Sequence, residues 1–238
     1  LEVLKTFPDE SIHCCVTSPP YFGLRDYHSQ GQIGLEKTPV KYVRVLCEIL
    51  HEVKRVLRPD GTLWLNIGDS YAGSGTSRVK YMPEKTGWEE IKPKDMIGIP
   101  WMLAFALRGD GWYLRSDIIW QKTNGMPEKI KDRPTKSYEH IFLLAKSRRY
   151  YYDANAVAEP VCEESIERAK RKKARKSKYE NTFMYQSIHH AQANPQRKIR
   201  NKRDVWTLST NAYRMDVHFA MYPEKLIEPC ILAGCPAG

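Results

Sequence analysis

The sequence of 238 residues contains no apolar run approaching 18 residues, so no segment reads as a membrane-spanning helix. Its first residues, Leu1-Glu2-Val3-Leu4-Lys5, do not have the basic-then-apolar pattern of a secretory leader. Cysteine is sparse. The six present form neither a CxxC pair nor a regular framework, which argues against a disulfide scaffold and for a reduced, cytoplasmic setting. The seven histidines lack metal-ligand spacing, so no metal is expected, and His189-His190 in its polar stretch reads as a surface pair. No internal repeat is visible, which sets aside solenoid architectures.

What remains is a globular composition, 42% apolar and 28% charged, of a length that suits one large domain or one domain with a sizeable insertion. The net charge of +10 is unevenly spread. Between Glu163 and Arg203 there are 13 lysines and arginines against 4 acidic residues, so this one segment carries +9. A near-neutral body with one basic segment fits a polyanion held on one face, and it also fits a solvated charged helix.

The order of elements points to α/β. Ser11 to Thr17 is a short apolar run that Ser18-Pro19-Pro20 must end, because proline cannot donate to a ladder. Val43, Leu46, Leu50, Val53 and Leu57 recur at helical spacing from about Thr38, with Pro39 in the first turn and Arg58-Pro59-Asp60-Gly61 as closing turn. Thr62 to Ile67 is again strand-like. Strand, helix, strand predicts a parallel sheet with helical crossovers. A second cycle predicts a helix over Met96 to Leu107 and strands over Tyr113 to Trp120 and His140 to Ala145. Residues 160–203 are polar and basic, with a possible helix over Glu163 to Lys176, and read as an insertion or arm. Regular structure resumes at Asp204-Val205-Trp206, and Pro223 opens a helix running to Leu232. The expected division is thus a catalytic α/β part over 1–159, a basic insertion over 160–203 and a return to the first domain over 204–238. The expected fold is a three-layer, doubly wound α/β sheet.

The sharpest local signal is Thr17-Ser18-Pro19-Pro20-Tyr21, placed where a buried strand ends. In open α/β sheets, ligands bind beyond the carboxyl ends of strands. Two prolines stiffen the chain and remove two donors, leaving carbonyl acceptors beside a hydroxyl and an aromatic ring. That set suits a planar ring bearing an amino group; a proline-rich turn with an exposed tyrosine is the plainer reading of five residues.

Thr-Ser-Pro-Pro-Tyr resembles the catalytic motif of the amino-group DNA methyltransferases, which move methyl from S-adenosylmethionine to an exocyclic base nitrogen. The resemblance extends along the whole chain. Leu57 to Tyr71 is similar to the family's following strand segment, and Lys131 to His140 to its downstream loop and strand. His218, Phe219, Ala220, Met221, Tyr222 and Pro223 resemble the helix start that contacts cofactor in the circularly permuted β class. The resemblance implies catalytic roles for Ser18, Pro19, Pro20 and Tyr21. It also implies cofactor contacts from Thr17 and residues 218–223, and target recognition in the basic segment. There Lys170, Arg171, Lys172, Lys173, Arg175, Lys176, Arg197, Lys198, Arg200, Lys202 and Arg203 can neutralise phosphates of double-stranded DNA. A cognate restriction endonuclease is the implied companion.

The chemistry agrees. An exocyclic amine is a poor nucleophile because its lone pair is delocalised into the ring. Acceptors on its two N–H bonds, the Ser18 hydroxyl and the Pro19 carbonyl, would localise that pair toward the methyl. Tyr21 would stack on the flipped base. A 5-carbon cytosine enzyme would need a nucleophilic cysteine after proline. Pro229-Cys230 is the one such pair, and its apolar helix pattern makes it structural. Serine before Pro-Pro-Tyr resembles the N4-cytosine enzymes, whereas aspartate or asparagine is usual in N6-adenine ones. N4-cytosine is therefore expected, with N6-adenine and a catalytically inactive DNA-binding relative as alternatives. Asp69 reads either as a polar residue beside the active site or as a strand-end cap. Gly73-Ser74-Gly75 is expected to be a flexible loop near the base rather than a nucleotide loop. Trp206 and Tyr150 to Tyr152 could stack bases or fill core. No Asp-Pro-Phe-x-Gly-Ser-Gly-type cofactor loop follows Ala233 to Gly238, so a truncated piece with weak or no cofactor binding is expected.

Overall fold

The computed structural model describes residues 1–73, 91–167, 199–210 and 222–236. The chain divides into two compact units, one of Leu1–Asp153 with Asp204–Gly238 and one of Ala154–Arg203.

The first unit opens with a single-turn helix α1 (Glu2–Lys5), strand β1 (Ile12–Thr17), helix α2 (Pro39–Val56) and strand β2 (Leu57–Ile67). The Thr38 hydroxyl accepts from the Lys41 backbone N–H at 3.2 Å, and Pro39 takes the first helical position, so α2 starts where its sequence permits. The turn expected at Arg58 to Gly61 is absorbed into β2 as an irregularity. Ile12 pairs with Leu57, but Cys14 already pairs with Thr62, and residues 58–61 fill the gap. Helix α3 (Ile99–Gly109) and strands β3 (Tyr113–Lys122) and β4 (Tyr138–Ala145) follow.

The five-stranded sheet of this unit runs β1-β2-β4-β3 and ends on Val205–Leu208, which becomes β7 once the short strands β5 (Glu159–Pro160) and β6 (Ile199–Arg200) of the second unit are counted. It is mixed rather than parallel throughout. β1 and β2 are parallel, as are β3 and β7, whereas β4 is antiparallel to both β2 and β3. The reason is connectivity. Helices α2 and α3 provide crossovers between parallel strands, but only a loop joins β3 to β4, and a loop returns the chain antiparallel. The α3 crossover thereby leaves a slot between β2 and β3 that β4 fills.

Side-chain alternation sorts the two faces of the sheet. Leu63, Leu65, Ile67, Phe142 and Leu144 join Tyr42, Leu46 and Leu50 of α2 and Leu103 and Leu107 of α3 in the main core. Thr62 and Trp64 face the opposite side, where helix α4 (Glu224–Gly234) packs so closely that a Cβ on Gly234 would lie 2.7 Å from Trp64 Nε1. This gives the three layers expected. Cys230 is buried in α4, and its thiol donates to the Leu226 carbonyl at 3.4 Å, a structural cysteine. Trp64 lies 6.4 Å, ring to ring, from both Tyr152 and Trp206; Trp206 is buried and fills core, whereas Tyr152 is exposed. Among the described residues no helix is long and apolar enough to cross a membrane.

In the second unit β5 pairs antiparallel with β6, and residues 163–167 are helical. The rest of the helix expected to Lys176 lies outside the described residues.

Candidate active site

The site is built where β1 ends. Residues 18–20 cannot extend the strand, and Tyr42 of α2 fixes the exit by donating its hydroxyl to the Pro20 carbonyl at 2.8 Å. One expectation is corrected here. The Pro20 carbonyl is not free of competing donors, because Tyr42 already holds one of its two lone pairs. Among the described residues no donor is bonded to the Pro19 carbonyl, the backbone acceptor beside Ser18. Gly34 closes the turn from behind. Its φ of +98° suits glycine, its carbonyl accepts from Gly23 N at 2.7 Å, and a Cβ there would stand 2.9 Å from the Tyr21 carbonyl oxygen.

Tyr21 is held at two points. Its ring lies against Gly68, just after β2, where a Cβ would meet ring carbon Cε2 at 2.5 Å. Its hydroxyl lies 2.5 Å from Glu139 Oε2 and 3.2 Å from Asn66 Oδ1. A phenol has one proton to donate, so the shorter contact to the charged acceptor takes it. Asn66 donates its amide to Glu139 Oε2 and to the His140 carbonyl, both at 3.1 Å. Lys122 Nζ bonds and ion-pairs with Glu139 Oε1, and stands 4.7 Å from the Trp120 ring centre. Burial, then the Glu139 charge and hydrogen bond, push the Tyr21 hydroxyl well above the ordinary phenol range, partly offset by the neighbouring Ser18 hydroxyl. Tyr21 is therefore a neutral donor at any working pH.

Asn66, Glu139 and Lys122 were missed by sequence reasoning. The strand register explains their meeting. Trp120 pairs with Glu139 and Asn66 with Ile141, so alternation puts Asn66, Glu139 and Lys122 on one face. The available signal was a polar side chain at the end of an otherwise apolar strand.

Asp69 takes the capping role. Its carboxylate accepts from the backbone N–H groups of Ser70, Gly98 and Ile99 at 2.9–3.1 Å, at the start of α3. Burial raises its pKa against the pull of those donors and of Lys136. Lys136 donates to the Asp69 carbonyl at 2.9 Å, and burial lowers its own pKa.

Of the residues expected to contact cofactor, Thr17 ends β1, Pro223 caps α4 and Tyr222 precedes it. Tyr222 is partly buried; burial, then the charges of Cys15 and Cys230, raise its pKa. Helix α4 packs beside β1, with the Cys14 thiol 4.0 Å from the Cys230 carbonyl. His218, Phe219, Ala220 and Met221 lie outside the described residues. So do Lys170, Arg171, Lys172, Lys173, Arg175, Lys176, Arg197 and Lys198, together with Ser74, Gly75 and His189-His190. In the second unit Arg203 Nε lies 2.9 Å and Arg200 Nη2 3.4 Å from Glu159 Oε2, so these two cations already share a carboxylate.

Comparison with known proteins identifies the family. A family profile for DNA methylases of the N6 and N4 type matches residues 12–238. The Type II methyltransferase M.Cfr9I of Citrobacter freundii is 44% identical over all of this chain and 71% of its own length. M.SmaI of Serratia marcescens, also a Type II methyltransferase, is 40% identical over all of this chain and 73% of its own. Among solved structures, the cytosine-N4-specific PvuII DNA methyltransferase shares the fold with a TM-score of 0.60 at 15% identity, over 99% of this chain and 67% of that one. TTHA0409 of Thermus thermophilus, described as a DNA modification methylase and solved with S-adenosyl-L-methionine, matches with a TM-score of 0.52 at 21% identity, over 97% and 70%.

Proposed function

The chain belongs to the N6/N4 family of DNA methylases, and from that premise we propose that it transfers methyl from S-adenosylmethionine to N4 of a flipped cytosine at a specific DNA site. The observation that carries this is the exit of β1. The hydroxyl of Ser18 and the carbonyl of Pro19 adjoin Tyr21, whose ring is fixed by Glu139 and Gly68.

In this reading the two N–H bonds of the cytosine amine are accepted by Ser18 Oγ and Pro19 O. Those acceptors draw the nitrogen lone pair out of the ring and aim it at the methyl. As the N–C bond forms, the C–S bond to the sulfonium breaks and leaves a neutral thioether, and the nitrogen gives up one of its two protons to solvent. Tyr21 offers its ring for stacking with the flipped base, and its neutral hydroxyl neither repels the base nor competes for its protons. S-adenosylmethionine supplies an electrophilic methyl on a sulfonium. Thr17, Tyr222 and Pro223 are the described residues suited to hold it, since α4 packs beside β1 and a partly buried aromatic ring precedes it. The stretch 218–221 completes that set. Serine at position 18 supports cytosine over adenine. The basic segment, with Lys170 to Lys176 and Arg197 to Arg203, grips phosphates without reading sequence. A companion restriction endonuclease and a cytoplasmic setting complete the reading, supported by the Type II relatives that match over the whole chain.

Ser18→Ala tests the assignment. Methyl transfer from labelled S-adenosylmethionine should fall about 100-fold or more, the scale of losing one preorganised polar contact to the reacting group, with DNA affinity retained. Full transfer by the variant would remove Ser18 from the chemistry, and absence of transfer by the wild type would point to a DNA-binding module.

A further inference from the structure

We propose that Glu139 is a positioning residue of the base pocket, acting through Tyr21. The inference rests on the reading above, but its evidence is geometric. One carboxylate, mostly buried at the start of β4, receives three donors from three different elements. They are the Tyr21 hydroxyl after β1, the Asn66 amide on β2 and the Lys122 ammonium at the end of β3. No other side chain among the described residues joins the catalytic loop to both neighbouring strands in this way.

The division of labour follows from the two oxygens. Oε1 faces Lys122, whose charge compensates that of the buried carboxylate. Oε2 faces Tyr21 and Asn66 and accepts from both. A charged acceptor makes the stronger bond to a phenol, and that bond fixes the far end of the ring while Gly68 fixes its side. Both amide hydrogens of Asn66 are donated, to Glu139 and to the His140 carbonyl. Asn66 therefore braces Glu139 and has no N–H left to offer the base. The result is a ring whose rotation about its bonds is arrested before DNA arrives, so that ordering it costs little on binding.

The clamp predicts that Glu139 and Tyr21 act as one unit. Tyr21→Phe keeps the ring and removes only the tether, whereas Glu139→Ala removes the anchor. Single-turnover methyl transfer should fall between about 10- and 100-fold in each, and the double variant should be no slower than the worse single one. DNA affinity should stay within about twofold, and Glu139→Gln, which retains one acceptor oxygen, should recover part of the rate. A Tyr21→Phe variant with full activity, or losses that multiply in the double variant, would overturn the proposal. A second readout needs neither DNA nor cofactor. In protein labelled at tyrosine Cζ, the Tyr21 resonance, assigned by its disappearance in Tyr21→Phe, should shift in Glu139→Gln; an unmoved resonance overturns the clamp. If the wild-type chain transfers no methyl, the functional reading fails while the resonance still decides the clamp. Should Glu139→Ala fail to fold, Glu139→Gln and Tyr21→Phe decide it alone.

Discussion

The Tyr42 hydroxyl and the Pro20 carbonyl lie 2.8 Å apart, and that bond ties the longest helix of the core to the catalytic loop. Tyr42 is fully buried. Its bond takes up one lone pair of the Pro20 carbonyl and fixes that carbonyl's direction.

Tyr42→Phe should leave a carbonyl without its donor. The expected cost is about 1–2 kcal/mol, the range for an orphaned partly buried acceptor, read as a lowered thermal midpoint. Methyl transfer should slow as the loop loosens. Unchanged stability and rate would mean that the loop is held by its prolines alone.

Gly68→Ala probes the other side of the ring. The backbone there is not in the left-handed region, so alanine is acceptable to the chain. The added Cβ would stand 2.5 Å from Tyr21 Cε2, and the ring must shift. Overpacking of this kind costs about 1–3 kcal/mol. The turnover rate should fall more than apparent affinity for DNA, because the displaced group acts on the bound base.

Lys122→Met should strand a buried carboxylate. Removing one partner of a buried pair costs about 3–5 kcal/mol, and the partial exposure here, 21% for Lys122 and 14% for Glu139, puts the expected loss at the lower end. Chemical denaturation measures it.

Stability should also fall in alkali. Burial pushes the Cys14 and Cys15 thiols up to about 11 from an ordinary 9.0. Between those values the unfolded chain has released protons that the folded chain retains, so the folded state binds more protons and stability declines as pH rises from 9 to 11. The slope is at most about 1.4 kcal/mol per pH unit for each thiol. Replacing both cysteines by alanine should lessen the slope, with Cys47 and the buried tyrosines carrying the remainder, as urea midpoints across that range would report. The exposed Cys162 behaves oppositely; its hydrogen bonds with Ser165 lower its pKa, so alkylation at neutral pH should label it before Cys14 or Cys15.

Much of this was legible in the sequence because it follows local rules. The helical spacing of Val43, Leu46 and Leu50, the cap at Thr38 and the strand-breaking prolines after Thr17 each act within a few residues. Mixed strand direction was not legible, since it depends on which gap β4 fills. Neither was the pairing of Tyr21 with Glu139. Those residues are 118 positions apart in the chain, and only the register of β3 on β4 puts Glu139 and Lys122 together. The Pro20 carbonyl was misjudged for the same reason. Proline chemistry frees an acceptor, but a tyrosine 22 positions away claims it.

The central claim concerns which atom is methylated. Nucleosides from DNA treated with the protein and S-adenosylmethionine, separated and identified by mass spectrometry, should contain N4-methylcytosine, and the Ser18→Ala sample should contain far less. N6-methyladenine in its place, or 5-methylcytosine, would contradict the account.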